Sequence, residues 1–201
     1  MNHCVRKIAG VSALGALMIA AGCTTKVARV GTDSTIDLSG RWNDVDSRLV
    51  AEEMIKDCLS QRWLYKWEQM NKRPTVIVGK ITNQSHEHIN TATFTKDIER
   101  ALLNSGKVEF VANKNEREQL REEKLDQAGN ASAQTGKSAH EETGADLMLI
   151  GSINTIVDQE GNRAVLYYQT NMELVDIESN QKVWIGEKKI KKYVERATTS
   201  F

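Results

Sequence analysis

Ala164-Val165-Leu166-Tyr167-Tyr168-Gln169-Thr170-Asn171-Met172-Glu173-Leu174 alternates in character from one residue to the next. Ala164, Leu166, Tyr168, Thr170, Met172 and Leu174 fall on one side of an extended chain, and Tyr167, Gln169, Asn171 and Glu173 fall on the other. Successive side chains of a strand point to opposite faces, so this period of two predicts a long strand with one packed face and one wetter face. Its neighbours read the same way. Asp146 to Val157 is rich in Leu, Met and Ile, and Gln159-Glu160-Gly161-Asn162 reads as a turn. Ser179-Asn180 reads as a second turn, before a last strand that opens with Val183-Trp184-Ile185 and runs into the basic stretch Lys188 to Lys192. Strands joined in order by short turns make an antiparallel meander.

Upstream the period changes. Val45, Leu49, Val50, Met54, Ile55, Cys58 and Leu59 recur at three and four residues, which predicts an amphipathic helix, with Asp44 or Asp46 as its cap. Gln61 to Arg73 carries Trp63, Leu64, Tyr65 and Trp67 and ends at Pro74, the one proline of the chain. Thr75 to Ile81 is β-branched and predicts a buried strand. Phe94, Ile98, Ala101, Leu102 and Leu103 predict a second helix that stops at Gly106, and Val108 to Val111 predicts another short strand. Lys114 to Ala128 is charged at helical spacing with only Leu120 and Leu125 as large apolar residues, so it predicts a mostly solvated helix. Gly129 to Ser138 reads as a loop, and Ala139 to Thr143 as a short helix. Together these predict an α+β domain, a single mixed sheet with a carboxy-terminal meander and helices packed on it.

The amino terminus has a different purpose. Arg6 and Lys7 precede an uncharged apolar run, Ile8 to Ala21, that is shorter than the roughly 20 residues a spanning helix needs. It has the flanks of a signal peptide and ends in Ala20-Ala21-Gly22-Cys23. This resembles the lipobox of bacterial lipoproteins, with Ala20 where leucine is usual. The resemblance implies that residues 1–22 are removed and that Cys23 becomes the lipid attachment site. Thr24, rather than aspartate, follows the cysteine, which in that group implies an outer-membrane protein facing the periplasm. Residues 23–37 then form a short polar tether, and residues 38–201 the globular domain. Such a tether spans at most about 50 Å when extended, and about 20 Å when relaxed.

Composition narrows the functions. Removing Arg6 and Lys7 from 27 basic residues leaves 25 against 27 acidic ones, which argues against a nucleic-acid partner held by counterion release. With Cys4 in the signal and Cys23 acylated, Cys58 is left as a lone thiol, within an apolar helical pattern that reads as structural. There is no G-x-S-x-G, Walker A loop, G-x-G-x-x-G or His-Glu-x-x-His. His86 and His88 flank Glu87 in a polar loop, and two histidines alone do not complete a zinc site. Adjacent acidic pairs such as Glu52-Glu53, Glu122-Glu123 and Glu141-Glu142 diverge on a helix and read as solvated faces. The expectation is a non-enzyme without cofactor or metal. Trp63, Tyr65 and Trp67, with Arg62 beside them, read either as core covering the first helix or as a partner-docking patch, since Trp, Tyr and Arg are favoured at interface hot spots. Trp42 invites the same two readings.

Leu38-Ser39-Gly40-Arg41-Trp42-Asn43-Asp44 before Asp46-Ser47-Arg48 resembles the penicillin-binding protein activator LpoB family. So do Pro74-Thr75-Val76-Ile77-Val78-Gly79, Ala145-Asp146-Leu147-Met148-Leu149-Ile150-Gly151, and the hairpin from Leu174-Val175-Asp176 to Trp184. The resemblance implies a fold like the TolB amino-terminal domain. It also implies a monomeric outer-membrane lipoprotein that docks on a class A penicillin-binding protein and activates peptidoglycan synthesis allosterically. An envelope assembly or secretion subunit akin to CsgG is the alternative. The tether here lacks the long proline-rich linker of the best-known enterobacterial members, which bears on how a partner is reached.

Overall fold

A computed structural model describes residues 25–138 and 141–197. The lipobox and Cys23 lie outside them. The chain divides at Thr32/Asp33. The described part of the first unit, residues 25–32, has no helix or strand. The second unit, Asp33 to Phe201, holds all the regular elements found among the described residues.

Helix α1, Asp44–Ser60, is capped by Asn43 rather than by Asp44 or Asp46. The Asn43 side chain accepts from the Asp46 amide while the Asp46 carboxylate accepts from the Asn43 amide, a reciprocal capping box. Its buried stripe is Val45, Val50, Ala51, Met54, Ile55, Cys58 and Leu59, with Leu49 turned outward. Helix α2, Trp63–Gln69, follows and buries only Leu64. Strand β1, Thr75–Asn83, leads to helix α3, Thr91–Asn104, capped by Asn90 and buried through Phe94, Ile98 and Leu102. Leu103, expected on that face, is exposed. Gly106 takes a left-handed turn at φ 65° and ends the helical path before the short strand β2, Glu109–Phe110. Helix α4, Lys114–Asn130, buries no residue, as its charge pattern predicts. Lys96 on α3 pairs with Glu116, and Arg121 pairs with Glu142. Glu141 to Thr143 are not helical, a correction to the expected short helix; Ala139 and His140 lie outside the described residues.

The meander is longer than its apolar segments suggest: β3 is Leu147–Glu160, β4 Arg163–Asp176 and β5 Lys182–Glu195. The five-stranded sheet has the order β2-β1-β3-β4-β5, with β1 parallel to β2 and β3, and antiparallel pairing from β3 to β5. This is the α+β class read from the sequence. Backbone pairing explains the extra length, because a long hairpin satisfies its own amides beyond the core.

Helices α1 and α3 cover one face of the sheet, α1 against β5 and α3 against β1 and β2. Tyr168, Thr170, Met172 and Leu174 of β4 are buried beneath them with Leu147, Leu149 and Ile153 of β3, so the alternation that opened this reading assigns the core face correctly. Gly151 stands opposite Met172, and a Cβ there would lie 2.6 Å from the Asn171 carbonyl oxygen, which explains a glycine mid-strand. Asp146 joins the starts of β1 and β3, accepting from the Thr75 amide at 2.7 Å.

Cys58 is 1% exposed, and burial, with Asp57 nearby, pushes its thiol up to about 12. The folded protein is therefore expected to leave this thiol unmodified by a water-soluble disulfide reagent at pH 8. Release of one additional reactive thiol only on denaturation would match; prompt reaction of Cys58 in the native state would not.

Candidate functional site

The Ser39-Gly40-Arg41-Trp42-Asn43 stretch forms a strap that crosses the ends of β4 and β5 before α1 begins. Gly40 has φ 72°, and a Cβ on it would collide with Val194, with Leu166 close behind. Only glycine gives both that backbone and that approach. Trp42 is then driven between elements: its ring meets Phe94 at 6.2 Å and Tyr168 at 5.5 Å between centroids, both edge-on. Its indole N–H donates to Ser47 Oγ at 2.7 Å, and its amide to Glu87 Oε2 at 3.1 Å. The other Glu87 oxygen accepts from the Tyr168 hydroxyl at 2.7 Å. Burial, and then Glu87, push the Tyr168 phenol well above its ordinary range, so it stays a donor.

Lys192 fastens the strap. Its ammonium donates to Asp37 Oδ2 at 2.7 Å, Asp46 Oδ2 at 2.6 Å and the Arg41 carbonyl at 3.0 Å. Burial opposes the charged lysine, but the hydrogen bonds to Asp37 and Asp46 outweigh it and hold the group above its usual value. The same ammonium holds the Asp37 carboxyl below the usual range. Asp37's contribution is thus complete above the ordinary carboxylate range and lost as pH falls through its lowered value. The lysine's contribution is complete below its ordinary value and lost as pH rises through the raised one. The fastening is full across neutral pH. Replacing Lys192 with methionine leaves Asp46, 5% exposed, without its cation, and is expected to cost about 2 kcal/mol. Chemical denaturation at pH 7 measures it, and a change under a few tenths of a kcal/mol would contradict the role.

The other aromatic cluster lies at the far end of α1. Trp63 Nε1 donates to the Cys58 carbonyl at 2.7 Å, closing the last turn of that helix, and its ring is half-buried against the core. Tyr65 is 57% exposed. Trp67 is half-buried under the Lys66 ammonium, 5.7 Å from its ring centroid, and Arg62 is exposed. The contact points of Trp42 and Trp63 on α1, Ser47 and Cys58, are about 16 Å apart along the axis at 1.5 Å per residue. The five aromatic and basic residues singled out in the sequence therefore do not form one patch. Trp42 is separate, and Arg62, Trp63, Tyr65 and Trp67 stay together on α2.

Among the described residues no three His, Cys, Asp or Glu side chains are placed to hold a metal. His86 instead shares its Nδ1 with Thr155 Oγ1 at 3.2 Å. No helix among them is long and apolar enough to cross a membrane.

Against known families, residues 46–190 match the model of the peptidoglycan-synthase activator LpoB. The chain belongs to the LpoB family. That match runs from the first turn of α1 into β5, so it takes in every element of the LpoB-family domain. A search of the curated proteins finds no match. Among solved structures, the LpoB carboxy-terminal domain from Escherichia coli is 19% identical, with a TM-score of 0.44, over 73% of this chain and 99% of that one. The same domain from Salmonella enterica is 17% identical, with a TM-score of 0.44 and the same coverage. Lipoprotein GNA1162 from Neisseria meningitidis is 17% identical, with a TM-score of 0.39, over 63% of this chain and 88% of that one.

Two residues that organise this LpoB-family domain were not singled out in the sequence: Lys192 and Glu87. Lys192 sits in a run of lysines that reads as a solvated end. Yet the period of two that begins at Trp184 carries Lys188, Ile190 and Lys192 onto the helix side, where Lys188 meets Glu53 and Lys192 meets Asp46. That continuation was the available signal. Glu87 had none, because its partners lie 45 and 81 residues away.

Proposed function

We infer that this chain is an outer-membrane lipoprotein, anchored through Cys23, whose periplasmic domain binds a bifunctional class A penicillin-binding protein. Binding raises glycan polymerisation and cross-linking allosterically, and the domain does no chemistry of its own. The observation that carries the reading is the family match across residues 46–190, a family of peptidoglycan-synthase activators.

In this reading residues 1–22 are the cleaved signal, the domain acts as a monomer, and the face of α2 docks on the synthase. Three features support α2. Tyr65 is exposed, with no hydrogen bond to its hydroxyl among the described residues. Trp67 lies beside it with Lys66 and Arg62 at the rim, the composition of an interface hot spot. The strap also enters at the other end of α1, so Asp37, held by Lys192, and the docking face lie at opposite ends of that helix. Trp42 is left out of the docking face because its ring is engaged with Phe94 and Tyr168.

The test is capture of the lipidated full-length protein from cross-linked envelopes. Recovery of a class A penicillin-binding protein in the wild type is expected. Its absence, with the bait recovered in good yield, would overturn the reading.

A further inference from the structure

Beside the strap the surface holds a cavity of about 270 Å³ that the synthase reading does not use. Leu166 and Val194 give it an aliphatic lining, and Arg41, Arg196, His86 and His88 give it a polar one. These residues come from the strap, the 86–88 loop and the ends of β4 and β5, so the cavity exists only in the folded domain. The contact of Gly40 with Val194 and Leu166 brings Arg41 to it.

The two arginines at this place are uncommitted. Neither the Arg41 nor the Arg196 guanidinium makes an ion pair or a side-chain hydrogen bond among the described residues, whereas neighbouring Lys192 is tied to two carboxylates. Glu87 also lines the cavity, but its two oxygens are taken by the Tyr168 hydroxyl and the Trp42 amide. Two permanent cations therefore share a concave, partly aliphatic surface, and among the described residues no carboxylate pairs with either. Guanidinium groups match the planar geometry of a carboxylate, which they bind through paired N–H donors.

The geometry points to a binding site for the carboxy terminus of a peptide that ends in a small aliphatic residue. Arg41 and Arg196 hold the terminal carboxylate, and Leu166 and Val194 receive the last side chain. The site is independent of the α2 face, so it stands or falls separately from synthase docking. Because Arg41 belongs to the strap, an occupied site also ties the strap to β5 through the ligand.

Equilibrium dialysis of the full-length protein in detergent tests it, with N-acetyl-Ala-Ala, the same dipeptide as its carboxy-terminal amide, acetate and inorganic phosphate as probes. The free acid is expected to bind saturably at one site. The amide, acetate and phosphate should each bind at least tenfold more weakly. The double variant Arg41→Gln/Arg196→Gln should lose at least tenfold in affinity for the acid at an unchanged thermal midpoint. No saturable binding of the acid, or equal binding of amide, acetate or phosphate, would overturn the site. So would undiminished binding by the double variant. If that variant is destabilised, the comparison of acid with amide on the unsubstituted chain decides.

Discussion

Trp42→Ala is expected to remove roughly 3–4 kcal/mol of stability, in the range for deleting a large aromatic from a packed site. For a domain of this size that lowers the thermal midpoint by about 10 °C. The loss has three sources. The ring leaves edge-on contacts with Phe94 and Tyr168, both of which are fully buried. Ser47, itself buried, loses the indole N–H that meets its hydroxyl. The strap also loses the side chain that seats it beside Glu87. Trp42→Phe separates these effects, because it keeps aromatic packing and gives up only the N–H, at about 1 kcal/mol. Differential scanning calorimetry of both variants is the measurement. A midpoint for the alanine variant within 1 °C of the parent would show that Trp42 does not seat the strap.

The second large effect falls on binding. Tyr65→Ala combined with Trp67→Ala is expected to weaken association with the synthase at least 30-fold, since a hot-spot residue contributes 2 kcal/mol or more. The fold should survive, because α2 buries only Leu64, which stays, and Trp63 keeps its bond to the Cys58 carbonyl. Surface plasmon resonance with the immobilised lipoprotein measures the affinity, and the thermal midpoint checks the fold. Unchanged affinity with an unchanged midpoint would move the docking face away from α2. Loss of affinity with the midpoint intact is the result that fits.

The two aromatic groups show how far a sequence can be read. Periodicity located nearly every element, because burial imposes a period of two on β4 and of three to four on α1 and α3. It placed Tyr168, Met172 and Leu174 on the packed face for the right reason. It could not separate Trp42 from Trp63, since both are aromatics at the margins of one helix. Only the fold shows that Trp42 is inserted against Phe94 and Tyr168 while Trp63 closes the last turn of α1. The cap of α1 was misplaced by one or three residues, Asn43 for Asp44 or Asp46, because all three side chains can accept an amide and the capping box in fact uses two of them. The ends of β3 and β5 were drawn short because backbone hydrogen bonding extends strands past their apolar residues. Glu87 escaped because long-range polar contacts leave no local period, whereas Lys192 does follow the period of two from Trp184 but sits among lysines that read as a solvated end.

The strap also changes the sense of the tether. The link between Cys23 and the domain was read as ending at residue 37, yet Asp37 is bound to Lys192 and Gly40 lies against Val194. The last residue of the expected tether is therefore held to β5 by a salt bridge.

The most direct measurement is glycan-strand polymerisation by the class A penicillin-binding protein of the same cell, from its lipid-linked substrate, with and without the full-length lipoprotein. The account predicts a higher rate on addition of the wild type, and little or none of that increase with the Tyr65→Ala/Trp67→Ala variant. An unchanged rate in the presence of saturating, folded wild-type protein would contradict it.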